Sequence, residues 1–475
     1  MNHNMTITII GAGPGGYETA VAAAARGVEV NVISDGPVGG TCLNEGCIPT
    51  KSLCRDAEIL ENARRAGDFG VVVDGNPSFD MKKAMERKEE VVSQLRGGVE
   101  FLLKNKLIHL IYGKAELKDG HTVTVWLSEP ADGQESIDLK SDYIIIATGS
   151  VSASLPVPGA DAEGVLTSRE ILSLEEVPGR LCIIGAGVIG LEFASIFRSL
   201  GSEVTVLEYC KDILPRFDTD LAKRLKQALV KRGINIETSA QVTGIESDAN
   251  GLKVKYLKKE AEHIVEADKV LMAVGRRPNV MSLNLADAGI DFSGKGIVTD
   301  CNMRTSVSPV FAVGDVRGGM MLAHMAVAEG RRALNTIIAE MEGRSVDGQV
   351  DDGIDLGIVP AAVFTDPEAA TVGMTEEECK AAGIPVKVFK SVFRANGKAL
   401  AMGESDGYCK ILAAGEGGPY EPGRILGCHM FGAHSSDLIH EVAALMNCGA
   451  SVETIRKTIH AHPTLSEVLY SAACQ

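Results

Sequence analysis

The sequence predicts an α/β protein of several domains, and three observations predict it. A pattern of strand, glycine cluster, helix and second strand occurs twice. The remaining apolar runs are short and bounded by glycine. The chain has 475 residues with 45% apolar side chains, too long for one ordinary core and apolar enough to fill two to four. A formal net charge of -16 repels phosphate backbones and anionic membrane surfaces, so neither nucleic acid nor a membrane is expected as a partner. No run approaches the roughly 18 apolar residues of a membrane span. The opening MNHNMTITII lacks a basic n-region, so no signal peptide is read there and a cytoplasmic location is expected.

The first repeat, TITIIGAGPGGYETAVAAAARGVEVNVIS, covers residues 6 to 34. Gly11, Gly13 and Gly16 form a GxGxxG fingerprint between a strand run and an Ala-rich helix, the context in which glycines let a pyrophosphate approach backbone N–H groups. This is a Rossmann-like βαβ unit. Its second strand ends at Ser34 with Asp35 next, so the usual ribose-binding acid is absent or displaced by one residue. The second repeat, LCIIGAGVIGLEFASIFRSLGSEVTVLE, covers 181 to 208 with Gly185, Gly187 and Gly190. Its second strand ends at Glu208, whose carboxylate can accept from an adenosine ribose and would repel a 2'-phosphate, which points to NAD rather than NADP.

Between the repeats, heptad-like apolar spacing predicts a helix from Phe79 to about Lys104, followed by strands around YGKAEL, TVTVWL and YIIIATGS. Asp119-Gly120 reads as a hairpin turn, and SEPADGQES (128 to 136) as a surface loop on composition. After the second repeat come VLMAVGRRPN, VFAVGDV and a helix over AHMAVAEGRRALNTIIAEM. The polar, acidic stretch 343 to 355 reads as a connection into a final domain of about 120 residues.

The chemistry concentrates in GGTCLNEGCIPTKSL, residues 39 to 53. Four residues separate Cys42 from Cys47, a span that closes a disulfide loop if the backbone bends or begins a helix, and Pro49 suits the first turn of such a helix. A thiolate near a helix start and a lysine has a lowered pKa, the condition for exchange with a disulfide. Zinc binding is the competing reading, but zinc sites usually draw on two closer pairs. The other nine of the eleven cysteines read as small buried or ordinary surface thiols.

The GGTCxxxGCIPxK pattern, the two GxGxxG units, ATG at 147 to 149, AVGRRPN at 273 to 279, FAVGDV at 311 to 316 and HAHPTLSE at 460 to 467 together resemble the class I pyridine nucleotide disulfide oxidoreductases along essentially the whole chain. The resemblance implies two Rossmann-like domains for FAD (1–150) and NAD (151–277), a central domain completing the FAD site (278–349) and an α+β dimerisation domain (350–475). It implies Cys42 as the interchange thiol, Cys47 as the thiol against the flavin, and Lys51 near the flavin paired with Glu192. Thr148, Gly149, Asp315, Met321, Leu322, Ala323, His324 and Gly113 match FAD contacts, while Val242 and Gly275 match NAD contacts. In HPTLSE it implies His462 as the base oriented by Glu467, acting across a homodimer, with His460 structural. The motifs are most similar to members that oxidise a dihydrolipoyl group on a lipoyl domain or lipoyl carrier protein of a 2-oxoacid dehydrogenase or glycine cleavage complex. A mercuric reductase would carry a C-terminal cysteine pair where this chain ends Ala473, Cys474, Gln475, and a glutathione reductase would need arginines where Glu208 and Tyr209 stand. A non-catalytic subunit of such a complex is the alternative from another class.

Overall fold

In the computed structural model, which describes residues 5–131, 133–346 and 348–475, the first 150 residues supply strands β1 (Thr6–Ile10), β2 (Glu29–Ser34), β3 (Ile108–Leu117), β4 (Thr122–Ala131), β5 (Gln134–Lys140) and β6 (Tyr143–Ile146). They also supply helices α1 (Pro14–Ala24), α2 (Gly40–Glu45), α3 (Cys47–Arg64) and α4 (Met81–Leu102). The chain divides into two compact units. The first holds residues 1–52, 85–153 and 276–356, and the second holds 53–84, 154–275 and 357–475.

The first unit is built on a seven-stranded sheet in the order Val310–Ala312, β6, β1, β2, β3, β4, β5. Its first five strands pair in parallel, and the central β1 and β6 are nearly continuous in β-branched residues, as strands covered on both faces must be. β3, β4 and β5 form an antiparallel meander turning at Asp119-Gly120 as expected. The stretch 128 to 136 is not the surface loop its composition suggested: β4 reaches Ala131 and β5 begins at Gln134, while Asp132 lies outside the described residues. Ladder hydrogen bonds hold a hairpin whose side chains are polar, so composition misses it. Helix α1 packs against the helix Ala323–Met341 at close range through Gly15 and Gly330; a Cβ on Gly330 would overlap the Thr19 hydroxyl. The acidic connection after that helix is anchored from within, because buried Arg332 holds Asp352 in a two-pronged pair at 2.7 and 3.0 Å. Charge-assisted forks of this kind are among the stronger polar contacts.

The second unit repeats the parallel scheme with Asn235–Thr238, Glu203–Glu208, Arg180–Ile184, Lys269–Met272 and Val165–Leu166 in that order, beside a three-stranded antiparallel sheet over 241–267. Residues 361–431 form a five-stranded antiparallel sheet covered by the helices Ser435–Asn447 and Glu467–Ala473. Among the described residues no helix is long and apolar enough to cross a membrane.

Candidate active site

In the first unit the chain leaves β1 toward β2, while β6 is flanked on its other side by Val310–Ala312, so the connections from β1 and β6 part in opposite directions and leave a crevice between their C-terminal ends. Gly11 stands at that end with φ +113°, and a Cβ would overlap the Ala147 carbonyl; one on Gly16 would overlap the carbonyl of Gly11. Gly13 is the N-cap of α1 and leaves the first turn without a side-chain cap. A glycine-framed helix start of this kind fits a pyrophosphate, whose charge meets backbone N–H groups and the helix dipole. Ser34 ends β2 and turns its hydroxyl back to Gly36 O at 2.8 Å, while Asp35 is exposed.

Thr148 and Gly149 follow β6 and are tied to Asn279, Thr148 by its hydroxyl at 2.9 Å and Gly149 by its carbonyl at 3.0 Å. Asp315, on a short 3-10 turn, accepts from the Ser150 hydroxyl at 2.6 Å, and that hydroxyl in turn accepts from Arg276 Nε at 2.7 Å. Met321 and Leu322 lead into the helix that Ala323 and His324 begin. Gly113 has a packing reason of its own, since a Cβ there would overlap the Trp126 carbonyl across the β3–β4 ladder.

The redox segment folds as its spacing suggested. Cys42 lies in α2, the chain breaks at Gly46, and Cys47 starts α3 with Pro49 in its first turn. At Gly46 the chain doubles back so tightly that a Cβ would stand 3.0 Å from Thr41 O and 3.5 Å from Cys42 Cα. The sulfurs of Cys42 and Cys47 share a hydrogen bond. That bond, then burial, then the charge on Cys47 hold the Cys42 thiol well above its usual pKa, with Lys51 opposing. The two sulfurs therefore act as one pair, and Cys47 stands at the helix start, where the dipole favours a negative charge.

In the second unit Gly185 (φ +106°), Gly187 and Gly190 repeat the cradle, Gly187 capping the helix α5 (Val188–Leu200). Glu208 is buried, and its carboxylate accepts from Ala186 N at 2.6 Å and Cys210 N at 2.7 Å. Val242 sits in the apolar core with Ile245, Tyr256 and Met272, so only its backbone can meet a ligand. Gly275 has φ +117° and open space where a Cβ would stand. Glu192 on α5 is buried and accepts from Phe364 N at 3.0 Å; Lys51 belongs to the first unit.

Also in the second unit, His462 Nδ1 meets Glu467 Oε1 at 2.9 Å with the imidazole 78% exposed, which leaves Nε2 outward. Glu467 Oε2 accepts from Thr464 N at 2.8 Å; that bond first, and His462 second, hold its carboxyl below the usual range. The acceptor thus stays ionised well into acid and fixes the histidine tautomer. His460 differs: its side chain is 7% exposed, bonded to Glu441 at 3.0 Å and set against the Tyr470 ring. Two features escaped the sequence. Arg276 is mostly buried beside Asp315, Glu45 and Cys47, although the AVGRRPN motif that holds it was in view. Cys409 and Cys428, distant in sequence, are both fully buried on adjacent strands of the C-terminal sheet.

A close thiol pair at a helix start, a carboxylate-oriented histidine and two glycine-framed cradles are the parts of an oxidoreductase that exchanges electrons between dithiols and dinucleotides. Residues 5–330 match the family described as pyridine nucleotide-disulphide oxidoreductase, and 359–473 match its dimerisation domain. The chain belongs to that family of flavin disulfide oxidoreductases. It is 39% identical to a dihydrolipoyl dehydrogenase of Bacillus subtilis (strain 168) over 98% of both chains, and 38% identical to one of Chlamydia muridarum over 100% of this chain and 97% of that one. Among solved structures it is similar to the HOCl-induced flavoprotein disulfide reductase RclA from Escherichia coli, with TM-score 0.84 and 31% identity over 100% of this chain and 99% of that one.

Proposed function

We propose that this protein is a dihydrolipoamide dehydrogenase that reoxidises a dihydrolipoyl group through Cys42 and Cys47, with FAD and NAD as cofactors. The observation that carries the reading is the placement of the two thiols, Cys42 in α2 and Cys47 at the start of α3 with the chain doubled back at Gly46 between them, since a pair that exchanges with a disulfide must bring its sulfurs together. Beginning from the disulfide, a substrate thiolate attacks Cys42 Sγ, the Cys42–Cys47 bond breaks and Cys47 leaves as thiolate. His462, oriented by Glu467, takes the proton of the second substrate thiol, which then displaces Cys42 and closes the substrate disulfide. Bound FAD would supply a two-electron carrier between the dithiol and NAD. Gly11, Gly13, Gly16, Thr148, Gly149 and Asp315 would hold the flavin nucleotide with Met321 to His324 and Gly113, and Lys51 and Glu192 would serve its redox chemistry. Gly185, Gly187, Gly190, Glu208, Val242 and Gly275 hold NAD.

We place His462 at the dithiol of a second copy of the chain, in line with the dimerisation domain. The dihydrolipoyl group arrives on a lipoyl domain or lipoyl carrier protein of a 2-oxoacid dehydrogenase or glycine cleavage complex, in the cytoplasm. The test is NAD-linked oxidation of dihydrolipoamide by the purified protein. Cys47→Ser should lose at least about a thousand-fold in rate, and His462→Gln about a hundred-fold or more. A wild type without flavin absorbance and without this activity would overturn the reading.

A further inference from the structure

The segment that carries the two thiols is held by one amide. Asn44 lies between Cys42 and Cys47, and its Nδ2 donates to Val38 O and Gly40 O, both at 3.0 Å, with Pro37 O at 3.4 Å. Those carbonyls belong to a turn in which Gly39 and Gly40 take φ +93° and +60°. The turn is seated on the fingerprint loop: Gly39 N donates to Ala12 O at 2.8 Å, and a Cβ on Gly40 would stand 2.7 Å from Gly13 Cα. Asn44 Oδ1 accepts from Arg96 Nε at 2.8 Å. Helix α4 thus reaches the dithiol loop through Arg96 and, one helix further along the chain, reaches Ser52 through Arg87 at 2.8 Å. The guanidinium fixes which way the amide points, and the amide fixes the turn; linked polar contacts of this kind reinforce one another.

We propose that Arg96 is a positioning residue for the dithiol, acting through Asn44 to hold the loop in the geometry of the reduced pair. This rests on the reading of Cys42 and Cys47 as the redox pair. Reduction adds two electrons and one proton to the pair, breaks the S–S bond and leaves Cys42 S–H beside the Cys47 thiolate. In the disulfide the covalent bond itself restrains residues 42 to 47, so the Arg96–Asn44 bond matters more to the reduced form.

Arg96→Met in the flavin-loaded protein should therefore shift the dithiol–disulfide equilibrium about five-fold toward the disulfide, the effect of losing one net hydrogen bond. It should also weaken the long-wavelength charge-transfer absorbance of the two-electron-reduced enzyme. Arg96→Gln keeps an N–H donor and should return both readouts to within about two-fold of wild type. Asn44→Ala combined with Arg96→Met should shift the equilibrium no further than Asn44→Ala alone. Flavin content and NADH-driven dye reduction, which bypasses the dithiol, should stay at wild-type levels. The proposal is overturned if Arg96→Met matches wild type, if Arg96→Gln is as impaired as Arg96→Met, if the double variant is additive, or if flavin content and dye reduction fall in parallel with the shift. A wild type lacking the charge-transfer band would instead remove the parent reading, so the two failures are distinguishable.

Discussion

The two βαβ units share the backbone bonds that frame their cradles and differ where each second strand ends. Gly11 N donates to Ile33 O and Gly185 N to Leu207 O, both at 2.8 Å; Ala147 N donates to Ile10 O and Ala273 N to Ile184 O, again both at 2.8 Å. The returning loops also correspond, with Gly39 N on Ala12 O and Leu214 N on Ala186 O. At the strand end, the first unit has Ser34 serving its own turn, and the second has buried Glu208 gripping the fingerprint backbone. The cradle is thus one geometry used twice, the geometry we propose receives a pyrophosphate, while the strand-end residue and the loop after it carry the difference in use. In the first unit that loop leads into the dithiol.

The largest expected effects test the shared part. Gly11→Ala and Gly185→Ala each force a side chain onto a carbonyl at φ above +100° and should destabilise their own unit by about 2–5 kcal/mol. Denaturant unfolding followed by flavin release and by NAD binding would show it, and unequal losses would break the equivalence. Next, Glu208→Gln places an amide N–H against a backbone N–H and should lower stability by about 1–3 kcal/mol and raise KM for NAD about ten-fold, read from unfolding curves and steady-state kinetics. Ser34→Ala removes one turn hydrogen bond and should cost about 0.5–1.5 kcal/mol by the same unfolding measurement. Asp35→Asn, at an exposed position, should stay within about 0.5 kcal/mol. A drop in flavin affinity for Asp35→Asn larger than for Ser34→Ala would show that the ribose acid is displaced rather than absent.

Much of this was legible before any coordinates. The fingerprints, the α4 span, the helix from Ala323 and the cysteine spacing are local signals, where strand period, glycine and helix patterning act within about thirty residues. The β4–β5 hairpin was missed because ladder bonds form irrespective of its polar side chains. Arg276 was missed because its partners Ser150 and Asp315 stand on distant segments.

By itself the sequence determined the two βαβ units and the thiol pair at a helix start, because each is a local pattern of strand, glycine and helix, and the pairing of His462 with Glu467 was implied by the resemblance of HPTLSE. Only the tertiary structure decided what surrounds them. Lys410 meets Asp218 at 2.8 Å across 192 residues, Arg332 meets Asp352 in the core, and Arg96 reaches Asn44 from another helix. Burial makes such partners obligatory, since an unpaired charge away from water is costly. Which residue supplies the partner is set by packing, which sequence spacing does not reveal.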